Sequence, residues 1–115
     1  MPSKRAADYL KDILIQINLA DEFLGTITLE EFEIDALRMY AVVRCLEIIS
    51  EASRRLPPDL KARYPSIQWA AIAGAGNIYR HNYEEVLATK IWETVKLALP
   101  ELRQVVDKEL SADGG

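Results

Sequence analysis

The chain has 115 residues, of which 50% are hydrophobic and 28% are charged, and its net charge is −4. These values exclude a disordered chain, and the acidic balance argues against a non-specific nucleic-acid coat protein. We expect one domain over residues 1–115, large enough to bury a hydrophobic core.

The single cysteine and single histidine exclude several kinds of site. Cys45 lies in an apolar helical run, and we expect it to be a small buried side chain. Neither a metal site nor a cofactor is expected, because the carboxylates show no ligand spacing. No apolar run reaches the ~18 residues of a membrane span, and the N-terminus lacks a signal-peptide apolar region, so a cytoplasmic location is expected.

The N-terminal half predicts two long helices. The first spans about Ser3–Leu24 and ends before Gly25. A capping box at Thr28–Glu31 then leads towards the longest helix, roughly Ile34–Leu56. The apolar residues of this helix cover more than one face, so it is central in the fold or serves both a core and a partner. They include Ile34, Leu37, Tyr40, Ala41, Val43, Leu46, Ile48 and Ile49.

The C-terminal half predicts shorter helices after Pro57-Pro58, which ends the long one. A short helix is expected over Asp59–Tyr64, and Ser66 is expected to cap the next. Another helix runs through Ile91–Leu99, and Pro100 suits the first turn of a last one. The prediction is an all-α bundle of about five helices.

Gly74 and Gly76 lie inside the helix that follows Ser66. Glycine in a helix costs roughly 1 kcal/mol relative to alanine, so these positions need a reason. Close packing against another helix is the favoured explanation. Room for a ligand or a second chain is the alternative.

The most distinctive polar segment is GNIYRHNY, residues 76–83. If the preceding helix extends to the histidine, its rotation of about 100° per residue places Asn77, Arg80, His81 and Glu84 on one face. This face would hold an acid/base, a permanent cation and an amide, which suit metal-independent cleavage of RNA through its own 2′-hydroxyl. The pattern alone favours a structural histidine and arginine at a helix C-terminus.

Several segments resemble sequences of the HepT-like family. That family belongs to the HEPN group of small helical ribonuclease toxins. The similarity extends over roughly Ile34–Val106. The segments are LEIISEASRRL, RYPSIQWAAIAG, GNIYRHNY and IWETVKLALPELRQVV.

The resemblance implies a toxin that dimerises through its helices and cleaves RNA in a cleft shared by two protomers. It further implies neutralisation by a minimal nucleotidyltransferase antitoxin, which adds AMP to the motif tyrosine. The family motif is an arginine, four to six residues, a histidine, one residue and a tyrosine. His81 and Tyr83 match this motif, and Asn77 matches the polar residue that usually follows the arginine.

The motif arginine has no match, because positions 74 to 76 are glycine, alanine and glycine. Arg80 is the nearest cation to His81 in sequence, and two hypotheses follow. In the first, Arg80 reaches the cleft and the protein is a variant nuclease. In the second, the site is degenerate and the protein is a helical dimer that binds a partner.

Two further features of the long helix and its end remain open. Glu51 either supports the cleft by orienting Arg80 or His81, or faces solvent and pairs with Arg54 or Arg55. The basic residues that follow it are either a local basic site or a solvated face. They are Arg54, Arg55, Lys61 and Arg63.

Overall fold

The computed structural model describes the backbone of residues 4–78 and 84–114. Within these ranges the chain is helical and contains no strand, which confirms the all-α prediction. Five of the helices have ten or more residues, in agreement with the expected bundle. They are α1 (Lys4–Leu24), α3 (Ala36–Arg54), α5 (Trp69–Ile78), α6 (Glu84–Glu93) and α7 (Leu99–Gly114); α2 (Leu29–Glu33) and α4 (Pro58–Ala62) are short.

The turn between α1 and α2 follows the sequence signals closely. Gly25 has a φ of +60° and its N–H donates to the carbonyl of Asp21 at 2.8 Å, which ends α1. Thr28 and Glu31 form the predicted capping box, each side chain accepting from the other residue's N–H. Ser3, the expected cap of α1, lies outside the described residues.

Three helix boundaries in the middle of the chain differ from the prediction. The helix that was expected to be the longest, α3, has 19 residues and is shorter than α1, which has 21. It begins at Ala36, not at Ile34, because the Asp35 carboxylate caps it by accepting from the N–H of Arg38. The short helix begins at Pro58, where the fixed φ of proline suits a first turn. The next helix begins at Trp69, three residues after the expected cap.

The core lies where α3 packs between α1 on one side and α5 on the other. Residues of α1 at spacings of three and four are fully buried against it, as expected for one apolar stripe. The C-terminal helix α7 packs against α1. The largest buried side chains of these helices are Leu10, Ile13, Ile17, Leu24, Val42, Ile49, Leu99 and Leu102.

Helices α6 and α7 are joined by a π-helical segment, Thr94–Ala98, with no loop between them. Pro100 lies two residues after the end of this segment. A proline inside a helix lacks an N–H and clashes with the carbonyl four residues earlier, and a π-bulge relieves such a clash. The N–H of Leu99 donates to the carbonyl of Thr94, five residues back. The boundary predicted near Pro100 is therefore a change between π-helical and α-helical winding, and the chain stays helical through it.

A buried carboxylate ties α7 to the connection between α4 and α5. Glu109 is only 6% exposed, and its Oε1 accepts from Arg63 Nη2 at 2.5 Å. The hydroxyl of Tyr64 donates to the other carboxylate oxygen. Burial and this carboxylate raise the pKa of Tyr64, and the same carboxylate raises the pKa of Arg63. The two contacts satisfy the buried acid.

The variant Glu109→Gln tests this tie. We expect it to lower the free energy of unfolding by about 1–2 kcal/mol, because the charge-assisted bond to the half-exposed Arg63 is lost while the shape is kept. Urea unfolding monitored by circular dichroism measures the change. Asp107→Asn is the matched control on the exposed side of α7, and it should change stability by less than about 0.5 kcal/mol. Equal effects of the two variants would contradict the assigned role.

Candidate functional site

The described structure includes the helical flanks of the 76–83 segment. The backbone of Asn77 belongs to the last turn of α5, and Glu84 begins α6. Arg80, His81 and Tyr83 lie outside the described residues. Their grouping with Asn77 on one helical face stays a prediction. The flanking helices establish where the described chain ends at residue 78 and where it resumes at residue 84.

Helix α5 is held on α3 by a buried serine. The hydroxyl of Ser50 donates to the carbonyl of Ala73 at 2.7 Å, and Ser50 is buried. Ser53 donates in turn to the carbonyl of Ser50 at 2.8 Å. A helical carbonyl has two lone pairs, so Ala73 can accept from Ser50 as well as from its own helix. This contact lies four residues before Asn77.

The beginning of α5 is fixed by its tryptophan. The indole N–H of Trp69 donates to the carbonyls of Lys61 and Tyr64, both at 3.1 Å. The ammonium group of Lys61 donates to the carbonyl of Ser53 on α3 at 3.2 Å. Helix α5 therefore starts beside the C-terminal end of α3 and runs back along it towards residue 78.

The beginning of α6 contacts the N-terminal half of α3. Leu87, four residues after Tyr83, lines an apolar groove of about 420 Å³ with Met39, Tyr40 and Val43. Further along α6, the Trp92 ring packs on Phe32 of α2 with centroids 6.0 Å apart. Helix α5 is therefore supported by α3, and helix α6 is supported by both α3 and α2.

Glu51 lies on the exposed side of α3. Its carboxylate accepts from Arg55 Nε at 3.0 Å and approaches Arg54 Nη2 at 3.3 Å. The pKa of Arg55 is raised chiefly by a hydrogen bond with Tyr9 and then by Glu51. These are the surface pairs that the sequence suggested as one alternative. The supporting role of Glu51 in a cleft stays a prediction.

The basic residues at the end of α3 and in and after α4 do not form an unpaired cationic face. Arg54 and Arg55 share Glu51, and Arg63 binds Glu109 and approaches Asp59. Lys61 caps a backbone carbonyl. Each of these cations is engaged in holding local structure, which favours the reading of a structural, solvated face.

Gly74 is not explained by close packing within the chain. A Cβ atom built on Gly74 would meet nothing within 4 Å, although the residue lies in the middle of α5. The preferred sequence-based explanation is therefore wrong for contacts inside this chain. The alternative, room for a ligand or a second chain, agrees with the open space. The side chain environment of position 76 lies outside the described residues.

Sequence reasoning missed Ser50 and Glu109 as determinants of where α5 lies. Both occur at helical spacing among apolar residues, four positions after Leu46 and Val105 respectively. A polar side chain in such a stripe must find a partner when it is buried. This signal marks the two residues, but it does not identify the partners.

Comparison with known proteins adds the family to this geometry. The model of the family described as "Ribonuclease HepT-like" matches residues 13–109. The chain belongs to the HepT-like ribonuclease family. The match includes the whole 76–83 segment and all of α3 and α5.

Individual relatives support this assignment. A protein of Thermococcus cleftensis, named as a probable ribonuclease HepT, is 40% identical over 101 residues, covering 88% of this chain and 92% of its own. A protein of Methanocaldococcus jannaschii whose name calls it a putative RNase is 35% identical over 108 residues, covering 94% and 89%. No solved structure matches the chain significantly.

The described helices give no sign of a membrane span or of a metal cluster. None of them is long and apolar enough to cross a membrane. Among the same residues, no three histidine, cysteine or acidic side chains lie together as metal ligands would. Cys45 is buried as expected, and burial raises the pKa of its thiol.

Opposite effects are expected when the two described glycines are changed to alanine. Gly74→Ala should raise the free energy of unfolding by about 0.5–1 kcal/mol, because alanine favours the helix and the added methyl meets open space. Gly25→Ala is the control and should lower it by about 1 kcal/mol, because its φ is positive. Chemical denaturation of both variants measures the difference. Destabilisation by Gly74→Ala would show that close packing fills this space.

Proposed function

We propose that this protein is a cytoplasmic HepT-like endoribonuclease, one domain over residues 1–115, that cleaves RNA without a metal ion. The observation that carries the proposal is the family match over residues 13–109, which spans the segment with the chemically capable side chains. The names of the relatives, which refer to ribonucleases, support the same substrate class.

The chemistry is assigned to His81 and Arg80. His81 takes the proton of the RNA 2′-hydroxyl, whose oxygen attacks the adjacent phosphorus and displaces the 5′-oxygen. The products are a 2′,3′-cyclic phosphate and a 5′-hydroxyl, which takes its proton from water. The guanidinium of Arg80 stabilises the charge that grows on the phosphate in the transition state. Asn77 and Glu51 are supporting residues, the first by hydrogen bonding to the phosphate and the second by orienting a cation. RNA is required because DNA lacks the nucleophile.

Toxin activity and its control form the finer part of the proposal. The protein acts as a dimer or a higher oligomer, and its partner is a minimal nucleotidyltransferase antitoxin. That enzyme transfers AMP from ATP to the phenolic oxygen of Tyr83 and releases pyrophosphate. The added phosphodiester carries a negative charge two residues from His81, where it repels the RNA backbone. Modification therefore switches cleavage off.

The departure from the family motif motivates a second candidate function. Gly76 stands at the position where the shortest form of the motif has its arginine. Without a cation beside the phosphate, the protein would be a helical dimer that binds its partner and cleaves nothing. The two functions differ in one measurable property, which is cleavage of RNA by the purified protein.

The variant His81→Ala tests the nuclease. We expect it to lower the rate of RNA cleavage at least 100-fold and to abolish growth arrest on expression, because the acid/base group is lost. Arg80→Ala should lower the rate similarly, and Arg80→Lys should restore only part of it, because lysine cannot form bidentate phosphate contacts. Cleavage of a labelled RNA in EDTA measures these rates.

Asp107→Asn is the control for this series, since it changes an exposed residue on α7 and should leave cleavage unchanged. Circular dichroism verifies that every variant is folded. An undiminished rate for His81→Ala would remove the histidine from the mechanism. No cleavage by the unaltered protein would favour the partner-binding function.

Modification of Tyr83 is tested by mass spectrometry after co-expression with a minimal nucleotidyltransferase antitoxin. We expect the intact mass to increase by one or more AMP units located on Tyr83, and the modified protein to lose RNA cleavage. Tyr83→Phe is the matched variant, which keeps the ring and removes the nucleophilic oxygen. If Tyr83 stays unmodified, or if the phenylalanine variant gains the same mass, control through this tyrosine is wrong.

A further inference from the structure

The apolar groove between α3 and α6 has the size and the position of a substrate pocket. Its volume of about 420 Å³ lies in the range of pockets that hold small organic groups. Met39, Val43 and Leu87 supply its apolar lining. Leu87 lies four residues after Tyr83, a stretch of chain that spans at most about 14 Å. A group bound in the groove therefore lies close to the segment that carries the proposed chemistry.

An exposed aromatic ring stands at the mouth of this groove. Tyr40 lines the groove, yet it is 76% exposed. A tyrosine left in water beside a recess offers a flat apolar face to a ligand. Unpaired RNA bases are recognised by stacking on such rings, and the loss of one stacked base weakens binding about fivefold or more. The ring therefore suits a nucleobase.

A carboxylate at the rim of the groove supplies a polar contact. Glu33 lines the groove at the end of α2 and is exposed, and its carboxylate has no hydrogen bond or ion pair with the residues that the structure describes. The two neighbouring acids are engaged, because Glu31 accepts from the N–H of Thr28 and Asp35 caps α3. Glu33 is therefore the acid that a ligand in the groove meets.

The edge of guanine fits a carboxylate better than the edges of the other bases. Guanine has two adjacent donors on its Watson–Crick edge, the N1–H and the exocyclic amino group, which match the two oxygens of one carboxylate. Adenine and cytosine present one amino donor beside an acceptor nitrogen, which repels a carboxylate. Uracil presents one N–H between two carbonyl acceptors. A groove with Glu33 at its rim therefore selects guanine.

A cation beside the ring can hold a phosphate of the same strand. Arg44 is four residues after Tyr40, so the two side chains are neighbours on one face of α3. The side chain of Arg44 is 71% exposed, and its Nη1 stands 3.8 Å from Glu47 Oε1, the length of a weak surface pair. Its guanidinium can form bidentate contacts with a phosphate. Acid, ring and cation thus correspond to the base edge, the base plane and the phosphate of a nucleotide.

We propose that the apolar groove between α3 and α6 binds a guanine base of the RNA substrate. The base stacks on Tyr40, its Watson–Crick edge donates to Glu33, and a phosphate of the strand binds Arg44. The inference rests on the proposed function, for which it names the base that adjoins the cleaved bond. Glu33 selects the base, and the segment with His81 cleaves a bond next to it.

Binding of RNA that cannot be cleaved tests this pocket apart from the nuclease. Two fluorescein-labelled pentanucleotides with 2′-O-methyl riboses, UUGUU and UUAUU, lack the 2′-hydroxyl nucleophile. In anisotropy titrations of the full chain, we expect UUGUU to bind about fivefold or more tightly than UUAUU, because a bidentate contact with a base edge discriminates by this factor.

Glu33→Gln should reduce the ratio of the two affinities to below about twofold, because an amide presents one acceptor and one donor to the two donors of guanine. Glu30→Gln is the matched control, since it changes an exposed acid of α2 that does not line the groove. It should leave the ratio unchanged. A general effect on folding or assembly would alter both affinities and leave their ratio as it was.

Tyr40→Ala should weaken binding of both pentanucleotides about fivefold or more, and Tyr40→Phe should keep it, because stacking requires only the ring. Leu97→Ala is the control, since Leu97 is 72% exposed and does not line the groove. Arg44→Ala should weaken both complexes and reduce their dependence on salt, because one phosphate contact is lost.

Equal affinities for the two pentanucleotides, or a ratio that Glu33→Gln leaves unchanged, would overturn the proposal. So would a Tyr40→Ala variant with altered sedimentation and unaltered RNA binding, which would make the groove a contact for protein. Cleavage of natural RNA is measured separately. Guanine-selective binding by a protein that cleaves no RNA would support the pocket and refute the nuclease. Cleavage without any preference for a neighbouring guanine would refute the pocket alone.

Discussion

The packing of α3 between α1 and α5 is the constraint on which the rest of the structure depends. The inner residues of α3 are buried on both sides, so neither neighbour can move without exposing apolar surface. The Arg38 guanidinium further ties the two long helices together, because it donates to the carbonyl of Phe23 at the end of α1. Because α3 is central, helices α5 and α6, which flank the 76–83 segment, both pack against it.

A few buried polar contacts decide where α5 lies along α3. Apolar packing alone tolerates several registers of one helix on another, whereas a buried hydroxyl or carboxylate requires a partner at one position. Ser50 fulfils this requirement through Ala73, and Glu109 does so through Tyr64 and Arg63. The polar 76–83 segment thus begins from a helix whose position is specified, which suits a site that must bring several side chains to one phosphate.

The surface contains two features that packing within the described chain does not explain. Ile34, Leu37 and Tyr40 expose large apolar side chains around the beginning of α3, and Gly74 sits beside open space in the middle of α5. The apolar side chains lie at the beginning of α3, whereas Gly74 follows Ala73, whose carbonyl is bound by Ser50 further along α3. The chain belongs to the HepT-like family, but Gly76 stands where the shortest form of the family motif has its arginine. The nearest cation to His81 in sequence is Arg80. Arg80 lies directly before His81 in the sequence, and the proposed cleavage requires both side chains to reach the same phosphate.

The sequence by itself determined the all-α class, the turn at Gly25, the capping box and the family, because these depend on local periodicity, on backbone preference or on several separate segments read in order. It also identified His81, Arg80, Asn77, Tyr83 and Glu51 as candidates. Only the tertiary structure decided that α3 starts at an Asp35 cap, that a π-helical segment precedes Pro100, and that Arg54 and Arg63 are engaged in ion pairs. It also decided which apolar residues of α3 remain outside the core. Amphipathic spacing gives the faces of a helix, but which face is covered depends on neighbours that are distant in sequence.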